Sequence, residues 1–246
     1  MNDVILVIDS GLGGISVLRS LCTLAPQNYV YFADYLHHPY GDKASDEVQE
    51  IIVDLVSKYK QKFNVKGIVL ACNTATTLAI KPLRNKFSNL KIVGTEPAIK
   101  CAISDNKSKI LLLATQNTIK FSNVVSEMIK KYPQRIIVKI MPSLASDVEN
   151  NISNLSLLKT KLKNELSEFV GKIDSLVLGC THYIFLKPVF KQIFGQKVVV
   201  YDGNLGVAKQ CRKIWGITSS NSVLLITNVP TKRQNLIKAW NIIGRE

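Results

Sequence analysis

Short apolar runs recur along the whole chain, and most of them do not alternate strictly with polar residues. Runs of this kind are typical of β-strands that are covered on both faces, as in parallel sheets. The pattern predicts strands over residues 4–8, 29–33, 67–71, 91–94, 109–114, 135–140, 175–179, 197–201 and 222–226.

Helical patterns lie between many of these runs. The clearest covers residues 45–62, where apolar side chains from Val48 to Tyr59 recur at steps of one and three and so share one helix face. Ser45 and the two acidic residues after it mark its start. Alternating strands and helices indicate an α/β fold with mainly parallel sheets, in which chemistry takes place beyond the carboxyl ends of the strands.

Two predicted strands end on a cysteine that is followed by small polar residues. The segment "LACNTA" contains Cys72, and "LGCTH" contains Cys180. At a strand end that opens into a helix, the pKa of a thiol is lowered and free backbone N–H groups bind anions such as carboxylates. We interpret Asn73 or Thr74, and Thr181, as the N-cap residues of these helices. We call each of these segments, where a strand ends and a helix begins, a corner. Two matching corners favour a chemical role for the cysteines over simple burial.

A third corner, "VIDSGLGG", ends its strand at Asp9 and Ser10 and then turns through glycines. A dinucleotide-binding motif is not expected, because Ser16 stands where its last glycine belongs. We interpret Asp9 as a carboxylate that takes or holds the proton of a neighbouring thiol. A capping role, in which Asp9 only orders the glycine turn, remains open.

Composition narrows the class of protein. The chain has 246 residues, 46% of them hydrophobic and 20% charged, which is enough for one large core or two smaller ones. It contains no apolar run of membrane-spanning length and no secretory signal, so we expect a soluble cytoplasmic protein. None of the five cysteines forms a CxxC pair, and the three histidines lack zinc-ligand spacing. We therefore expect no disulfide, no metal and no other cofactor.

The net charge of +14 raises the alternative of a nucleic-acid-binding protein. The lysines are scattered along predicted surface helices, as in "VSKYKQKF", and no basic block with interleaved aromatic residues accompanies them. We do not expect a nucleic-acid partner, and we keep this class as the non-enzyme alternative.

The corners together resemble glutamate racemase, a cofactor-independent family that supplies D-glutamate for bacterial peptidoglycan. The resemblance is carried by four ordered motifs and supported by two weaker ones. The four are "DSGLGG" (9–14), "PYG" (39–41), "ACNTA" (71–75) and "GCTH" (179–182); the others are "GTEPAI" (94–99) and "MPSLASDVE" (141–149), which ends on Glu149.

The resemblance implies two similar, mainly parallel α/β domains with the active site in the cleft between them. Residues 1–94 plus 206–246 would form the first, and residues 95–205 the second. Glutamate would be the small-molecule partner, no membrane partner is expected, and a homodimer is left open.

The same resemblance implies that Cys72 and Cys180 act on opposite faces of the substrate Cα, with Asp9 assisting the first and His182 the second. Substrate-binding positions implied by it are Asp9, Ser10, Tyr40, Gly41, Asn73, Thr74, Thr181 and His182. Thr115 and Thr118 are further candidates to line the cleft, one of them as a helix cap. Cys22, Cys101 and Cys211 lie in helical patterns and receive no role.

Two enzyme alternatives remain open: a racemase for aspartate or another amino acid, and a cysteine hydrolase with a Cys–His pair. Aspartate racemases resemble this pattern but carry a glutamate at the position of His182. The chain departs from the glutamate racemase pattern at Leu36, His37 and His38, which replace the small residue and arginine that usually precede Pro-Tyr-Gly.

Overall fold

The protein is described from a computed structural model that covers residues 3–219 and 221–244. All predicted strands are found there, with ends that differ by up to three residues. They are β1 (Asp3–Asp9), β2 (Tyr29–Ala33), β3 (Asn64–Leu70), β4 (Lys91–Gly94), β5 (Ile110–Ala114), β6 (Ile136–Ile140), β7 (Ser175–Gly179), β8 (Val199–Tyr201) and β9 (Val223–Thr227).

Helices connect these strands. They are α1 (Ile15–Leu24), α2 (Ser45–Lys62), α3 (Asn73–Lys86), α4 (Ile99–Ser104), α5 (Gln116–Phe121), α6 (Asn123–Lys131), α7 (Leu144–Asn151), α8 (Lys159–Glu165), α9 (Lys187–Phe194), α10 (Asn204–Trp215) and α11 (Arg233–Ile243). Short 3-10 helices include Tyr35–His37, Tyr40–Asp42 and Thr181–Leu186. In the described ranges no helix combines the length and apolarity needed to cross a membrane.

The strands form two sheets. The first has the order β4-β3-β1-β2-β9 and the second the order β6-β5-β7-β8. Every strand pair in both sheets is parallel. The predicted fold class, α/β with parallel sheets in two sets, is confirmed.

The helix over residues 45–62 begins and ends as the apolar pattern predicts. Val48, Ile52, Val56 and Tyr59 are buried on the face that covers the first sheet. Acidic side chains in its first turn and lysines in its last turn complement the helix dipole.

The C-terminal segment returns to the first sheet, since β9 pairs with β2. The first sheet therefore draws on residues 3–94 and 223–227, and the second on residues 110–201. One cluster of buried side chains nevertheless includes Ile5 and Val7 of the first sheet together with Leu111 and Leu113 of the second. The division into 1–94 plus 206–246 and 95–205 stays a prediction.

The strands place the two cysteines at equivalent points of the two sheets. Cys72 follows the end of β3 by two residues, and Cys180 follows β7 directly. Each of these strands pairs with a strand that also ends at the same edge, β1 in the first sheet and β5 in the second. Carboxyl ends of parallel strands are the usual location of binding sites in such sheets.

We expect Leu18→Ala to lower the free energy of unfolding by about 2–5 kcal/mol, because Leu18 lies fully buried in the shared core and α1 cannot close the cavity. The matched control is Thr23→Ala on the exposed side of the same helix, which should change stability by less than about 0.5 kcal/mol. Urea unfolding of the three proteins measures both values. Equal effects at the two positions would contradict the assigned core.

Candidate active site

Asp9 joins the ends of the two sheets. Its side chain is fully buried at the end of β1. Oδ1 accepts a hydrogen bond from the Gly11 N–H (2.8 Å), and Oδ2 accepts one from the Thr181 hydroxyl (3.0 Å), which lies beyond β7. Burial raises the pKa of Asp9 from 3.8 to about 6, although the charge of His182 opposes the rise. The carboxylate is thus mainly ionised at neutral pH but takes up a proton about two pH units above the ordinary range of an aspartate.

Cys72 lies at the N-cap position of α3, in extended backbone conformation, and is buried. Burial raises the pKa of its thiol, and the nearby Asp9 charge raises it further, despite backbone N–H groups of Ala75 and Thr74 that favour the thiolate. The expected lowering of the Cys72 pKa is therefore wrong for the protein without substrate. The cost of desolvating a thiolate outweighs the helix terminus.

Cys180, His182 and Glu149 form a chain of polar contacts, which we call the relay. Sγ of Cys180 lies 3.9 Å from Nδ1 of His182, and Nε2 of His182 lies 2.9 Å from Oε1 of Glu149. That carboxylate oxygen also accepts the backbone N–H of Leu12 at 2.6 Å. Burial disfavours a charged imidazole, but hydrogen bonds with Cys180 and Glu149 and the charge of Asp9 raise the pKa of His182 well above its usual value. These interactions favour the imidazolium form of His182 beside the Glu149 carboxylate.

The predicted N-cap residues do not cap. Cys72 and Cys180 themselves occupy the N-cap positions, and neither makes a side-chain capping bond. The Thr181 hydroxyl binds Asp9 instead, and Nδ2 of Asn73 lies 3.5 Å from the carbonyl of Thr95. Polar side chains that would otherwise cap the helices thus face the site and its neighbours.

Gly11 and Gly13 allow the two corners to approach. A Cβ at Gly13 would lie 2.5 Å from both Nδ1 of His182 and Oγ1 of Thr181. A Cβ at Gly11 would collide with Oε1 of Glu149. The glycines are required here because the second cysteine corner lies directly against them, not only because the chain turns.

Hydroxyl groups from the first turn of α3 and from the segment after β5 contact each other. Oγ1 of Thr74 lies 3.0 Å from Oγ1 of Thr115, which donates to Oγ1 of Thr118 at 3.0 Å. Thr115 also accepts the N–H of Thr118 as the N-cap of α5, so the expectation that one of the two threonines caps a helix is confirmed. Ser10 is buried beside Asp9.

The Pro-Tyr-Gly segment is fixed by two residues that the sequence analysis missed. The Tyr40 hydroxyl donates to buried Asp34 at 2.6 Å, and Gly41 lies against the side chain of Thr115. Asn117 donates to the carbonyl of Tyr40 at 3.1 Å. Asp34 directly follows β2, so the rule that singled out Asp9 and the cysteines could also have found it.

The departure from the glutamate racemase pattern has a clear structural outcome. Leu36 is exposed, and Nδ1 of His37 lies 2.8 Å from Oδ2 of Asp34. His38 turns towards the second cysteine corner, where its ring centroid lies 5.2 Å from that of His182. Burial, together with the neighbouring His182 charge, lowers the pKa of His38 to about 4, so this imidazole is neutral.

The chemistry of the side chains, rather than the size of a surface pocket, locates the candidate site. A pocket of about 560 Å³ lies along the outer face of α3 and contains Lys81 and Arg84, but neither cysteine. The two thiols instead lie in the buried cluster formed by Asp9, His182 and Glu149.

The fold and the cluster define a class of α/β proteins in which two parallel sheets each contribute one strand-end cysteine to a shared polar site. Residues 17–211 match the Asp/Glu/hydantoin racemase family, and the chain belongs to this family. It is 40% identical to a glutamate racemase of Clostridium novyi over 210 residues, which are 83% of this chain and 80% of that protein. It is 38% identical to glutamate racemase 2 of Bacillus subtilis over 215 residues, which are 84% of this chain and 79% of that protein.

Solved structures support the same family. A glutamate racemase isoform from Bacillus anthracis superposes with a TM-score of 0.83 at 26% identity and covers 98% of this chain and 94% of its own. The enzyme from Aquifex pyrophilus gives a TM-score of 0.72 at 28% identity, covering 99% of this chain and 96% of its own. The overall arrangement of the two sheets is therefore that of glutamate racemases.

We expect Asp9→Asn to stabilise the protein above pH 6. Because the folded state raises the pKa of Asp9, wild type loses stability as the pH rises from 3.8 to about 6, by about 3 kcal/mol in total. A neutral amide does not ionise, so the gain in free energy of unfolding should be small at pH 4 and about 3 kcal/mol larger at pH 7.

Urea unfolding of both proteins at the two pH values measures this difference. Asp3→Asn, at the exposed start of the same strand, is the control. A stability difference between Asp9→Asn and wild type that does not change with pH would contradict the raised pKa.

Proposed function

We propose that the protein interconverts L-glutamate and D-glutamate without a cofactor, by a two-base mechanism that uses Cys72 and Cys180. The observation that carries the proposal is the pair of thiols delivered by two separate sheets to one buried polar cluster, each beside its own titratable partner. Curated relatives at 35–40% identity are glutamate racemases, which supports the choice of substrate.

Inversion at the substrate Cα requires a base on one face and an acid on the other. One cysteine enters as thiolate, takes the α-proton and becomes a thiol, leaving a planar carbanion. The opposite cysteine enters as thiol, gives its proton to the other face and becomes a thiolate. The charge balances in either direction, and the two cysteines exchange roles when the reaction runs backwards.

Burial of Cys72 suits this chemistry. The α-proton of an amino acid is a very weak acid, so a thiolate with a raised pKa is a better match for it than one stabilised by water. The substrate ammonium, once bound nearby, lowers the cost of forming that thiolate. Asp9, with a pKa of about 6, is ionised at neutral pH and is able to hold the displaced proton or the ammonium.

His182 serves the second cysteine in this proposal. As an imidazolium it stabilises the Cys180 thiolate through Nδ1, while Glu149 fixes the ring and its charge through Nε2. When Cys180 must be a thiol, the same nitrogen supplies or positions its proton. Glu149 acts through His182 and is a positioning residue.

Small polar groups around the thiols would hold the substrate. We assign its amino and carboxylate groups to Ser10, Tyr40, Gly41, Asn73, Thr74 and Thr181, with Thr115 and Thr118 beside them. Support comes from their burial around the cysteine corners and from the backbone N–H groups at the start of α3. Since the Tyr40 hydroxyl is bound to Asp34, its contribution would be through its ring and the backbone.

We further propose that the product serves peptidoglycan synthesis in the cytoplasm, as in the family that the motifs resemble. The five free cysteines agree with a reducing compartment. Two domains of residues 1–94 plus 206–246 and 95–205, facing each other across the site, remain our proposed organisation. A homodimer stays open.

We expect the α-proton of L-glutamate to exchange with solvent in D2O, with D-glutamate appearing, when no cofactor is added. Cys72→Ser and Cys180→Ser should each slow racemisation by about 10²–10⁴-fold, because a hydroxyl is a far poorer base. Proton NMR together with chiral chromatography measures both events.

Cys101→Ser, which changes an exposed cysteine outside the site, is the matched control and should keep the wild-type rate. Absence of α-deuteration by folded wild-type protein would reject the proposed function. An acyl-cysteine trapped at Cys180 alone would favour the hydrolase instead.

Substrate choice provides a separate prediction. His182 stands where aspartate racemases carry a glutamate, so kcat/KM for glutamate should exceed that for aspartate by at least about 100-fold, the usual effect of a mispositioned acid or base. Polarimetry with each pure enantiomer measures the ratio. Comparable values for the two acids would favour a racemase of broad specificity within the same family.

A further inference from the structure

We propose that His38, Glu149 and His182 form a binding site for an exchangeable divalent cation of the zinc type. One ligand atom from each of these three side chains lies within 4.8 Å of the other two. Two imidazoles and one carboxylate are a donor set found in catalytic zinc sites, where a fourth position stays open to water or substrate.

The distances require only small movements. Around a tetrahedral zinc with bonds of about 2.0–2.2 Å, ligand atoms lie roughly 3.3–3.5 Å apart. The pair formed by Nε2 of His182 and Oε1 of Glu149, now 2.9 Å apart, is slightly too close for this and has only to separate. The His38 ligand atom lies within 4.8 Å of the other two and so has to approach by roughly 1.3 Å at most, a rotation that a half-buried side chain just after a short 3-10 helix permits.

Unsatisfied polar atoms point to the same place. Within the described residues, Nδ1 of His38 and Oε2 of Glu149 are buried and make no hydrogen bond. The Ser10 backbone and the Tyr35 hydroxyl are their neighbours, but these contacts fall short of hydrogen-bond geometry. Buried polar atoms without partners are rare and costly, and a cation would satisfy both at once.

The surroundings would hold the ligands in place. The Leu12 N–H orients the Glu149 carboxylate through Oε1, and the unpartnered Oε2 can join Oε1 in binding the cation. Metal-bound histidines usually have a polar partner on the other ring nitrogen, and Nδ1 of His182 already faces Cys180.

Cation binding would interrupt the relay that serves Cys180. The cation takes the place of the proton between His182 and Glu149, so His182 no longer exchanges a proton with the thiol. The expected consequence is reversible inhibition of racemisation, and this consequence, unlike binding itself, rests on the proposed function.

This inference departs from the expectation of no metal, which was based on the spacing of histidines along the chain. The three ligands come from separate segments, a 3-10 helix after β2, helix α7 and the corner after β7. Only the fold brings them together, and His38 is one of the residues by which the chain departs from the glutamate racemase pattern.

The test measures Zn²⁺ binding to the full-length protein without substrate, by equilibrium dialysis with a non-chelating reductant. Wild type should bind one tight equivalent. His38→Ala and His38→Gln should bind it about 10- to 100-fold more weakly, at least the loss seen when a partner of a metal ligand is removed. His37→Ala, which removes the neighbouring imidazole that faces Asp34, should bind like wild type. Thermal melting without metal shows that all variants are folded.

Co²⁺ provides an independent readout, since a site of imidazole and carboxylate lacks the charge-transfer band of a cobalt thiolate. Unchanged Zn²⁺ affinity in both folded His38 variants, or a thiolate band in wild type, would overturn the site.

Inhibition of α-proton exchange should require 10- to 100-fold more Zn²⁺ in His38→Ala than in wild type. If no protein exchanges the α-proton while binding still depends on His38, the proposed function fails and the cation site stands.

Discussion

One carboxylate oxygen, Oε1 of Glu149, links the turn after the first strand to the second cysteine corner. It accepts the Leu12 N–H from the glycine turn after β1 and pairs with His182 in the corner after β7. Because all of these groups are buried, a lost hydrogen bond here has no replacement from water. The two segments lie so close together here that only glycine fits at positions 11 and 13, and the Thr181 hydroxyl reaches Asp9.

The site places several titratable groups where water cannot solvate them. Asp9 and Cys72 resist ionisation because they are buried, while the charge of His182 is retained only through its anionic neighbours. Such groups reduce the stability of the folded state, and the proposed mechanism requires their protonation to change. A substrate carrying one ammonium and two carboxylates would bring charges of both signs next to these groups.

The sequence predicted the strands well because buried parallel strands appear as continuous apolar runs. It predicted the corners because a cysteine and small polar residues follow β3 and β7 within two positions. The same pattern located Asp9, and the resemblance added His182 and Glu149. Electrostatics could not be predicted in this way: the pKa of Cys72 depends on how deeply the corner is buried. Contacts between separate segments could not be predicted either. Examples are the hydrogen bond from Tyr40 to Asp34 and the ring contact between His38 and His182.

The central claim is that each cysteine has its own partner, Asp9 for Cys72 and His182 for Cys180. Two enantiomers have equal free energies, so kcat/KM must remain equal in both directions in any variant. Asp9→Asn should nevertheless slow the proton transfer at Cys72, and His182→Asn the transfer at Cys180. The two variants should therefore differ in which direction of the reaction shows the larger primary isotope effect.

The decisive measurement is the isotope effect on kcat/KM with α-deuterated L-glutamate and D-glutamate, for wild type, Asp9→Asn and His182→Asn. The assignment of Asp9 to Cys72 and His182 to Cys180 predicts that the two variants change the difference in isotope effect between the two directions in opposite senses. If both variants kept the wild-type difference, or changed it in the same sense, the assignment of partners to the two cysteines would be contradicted.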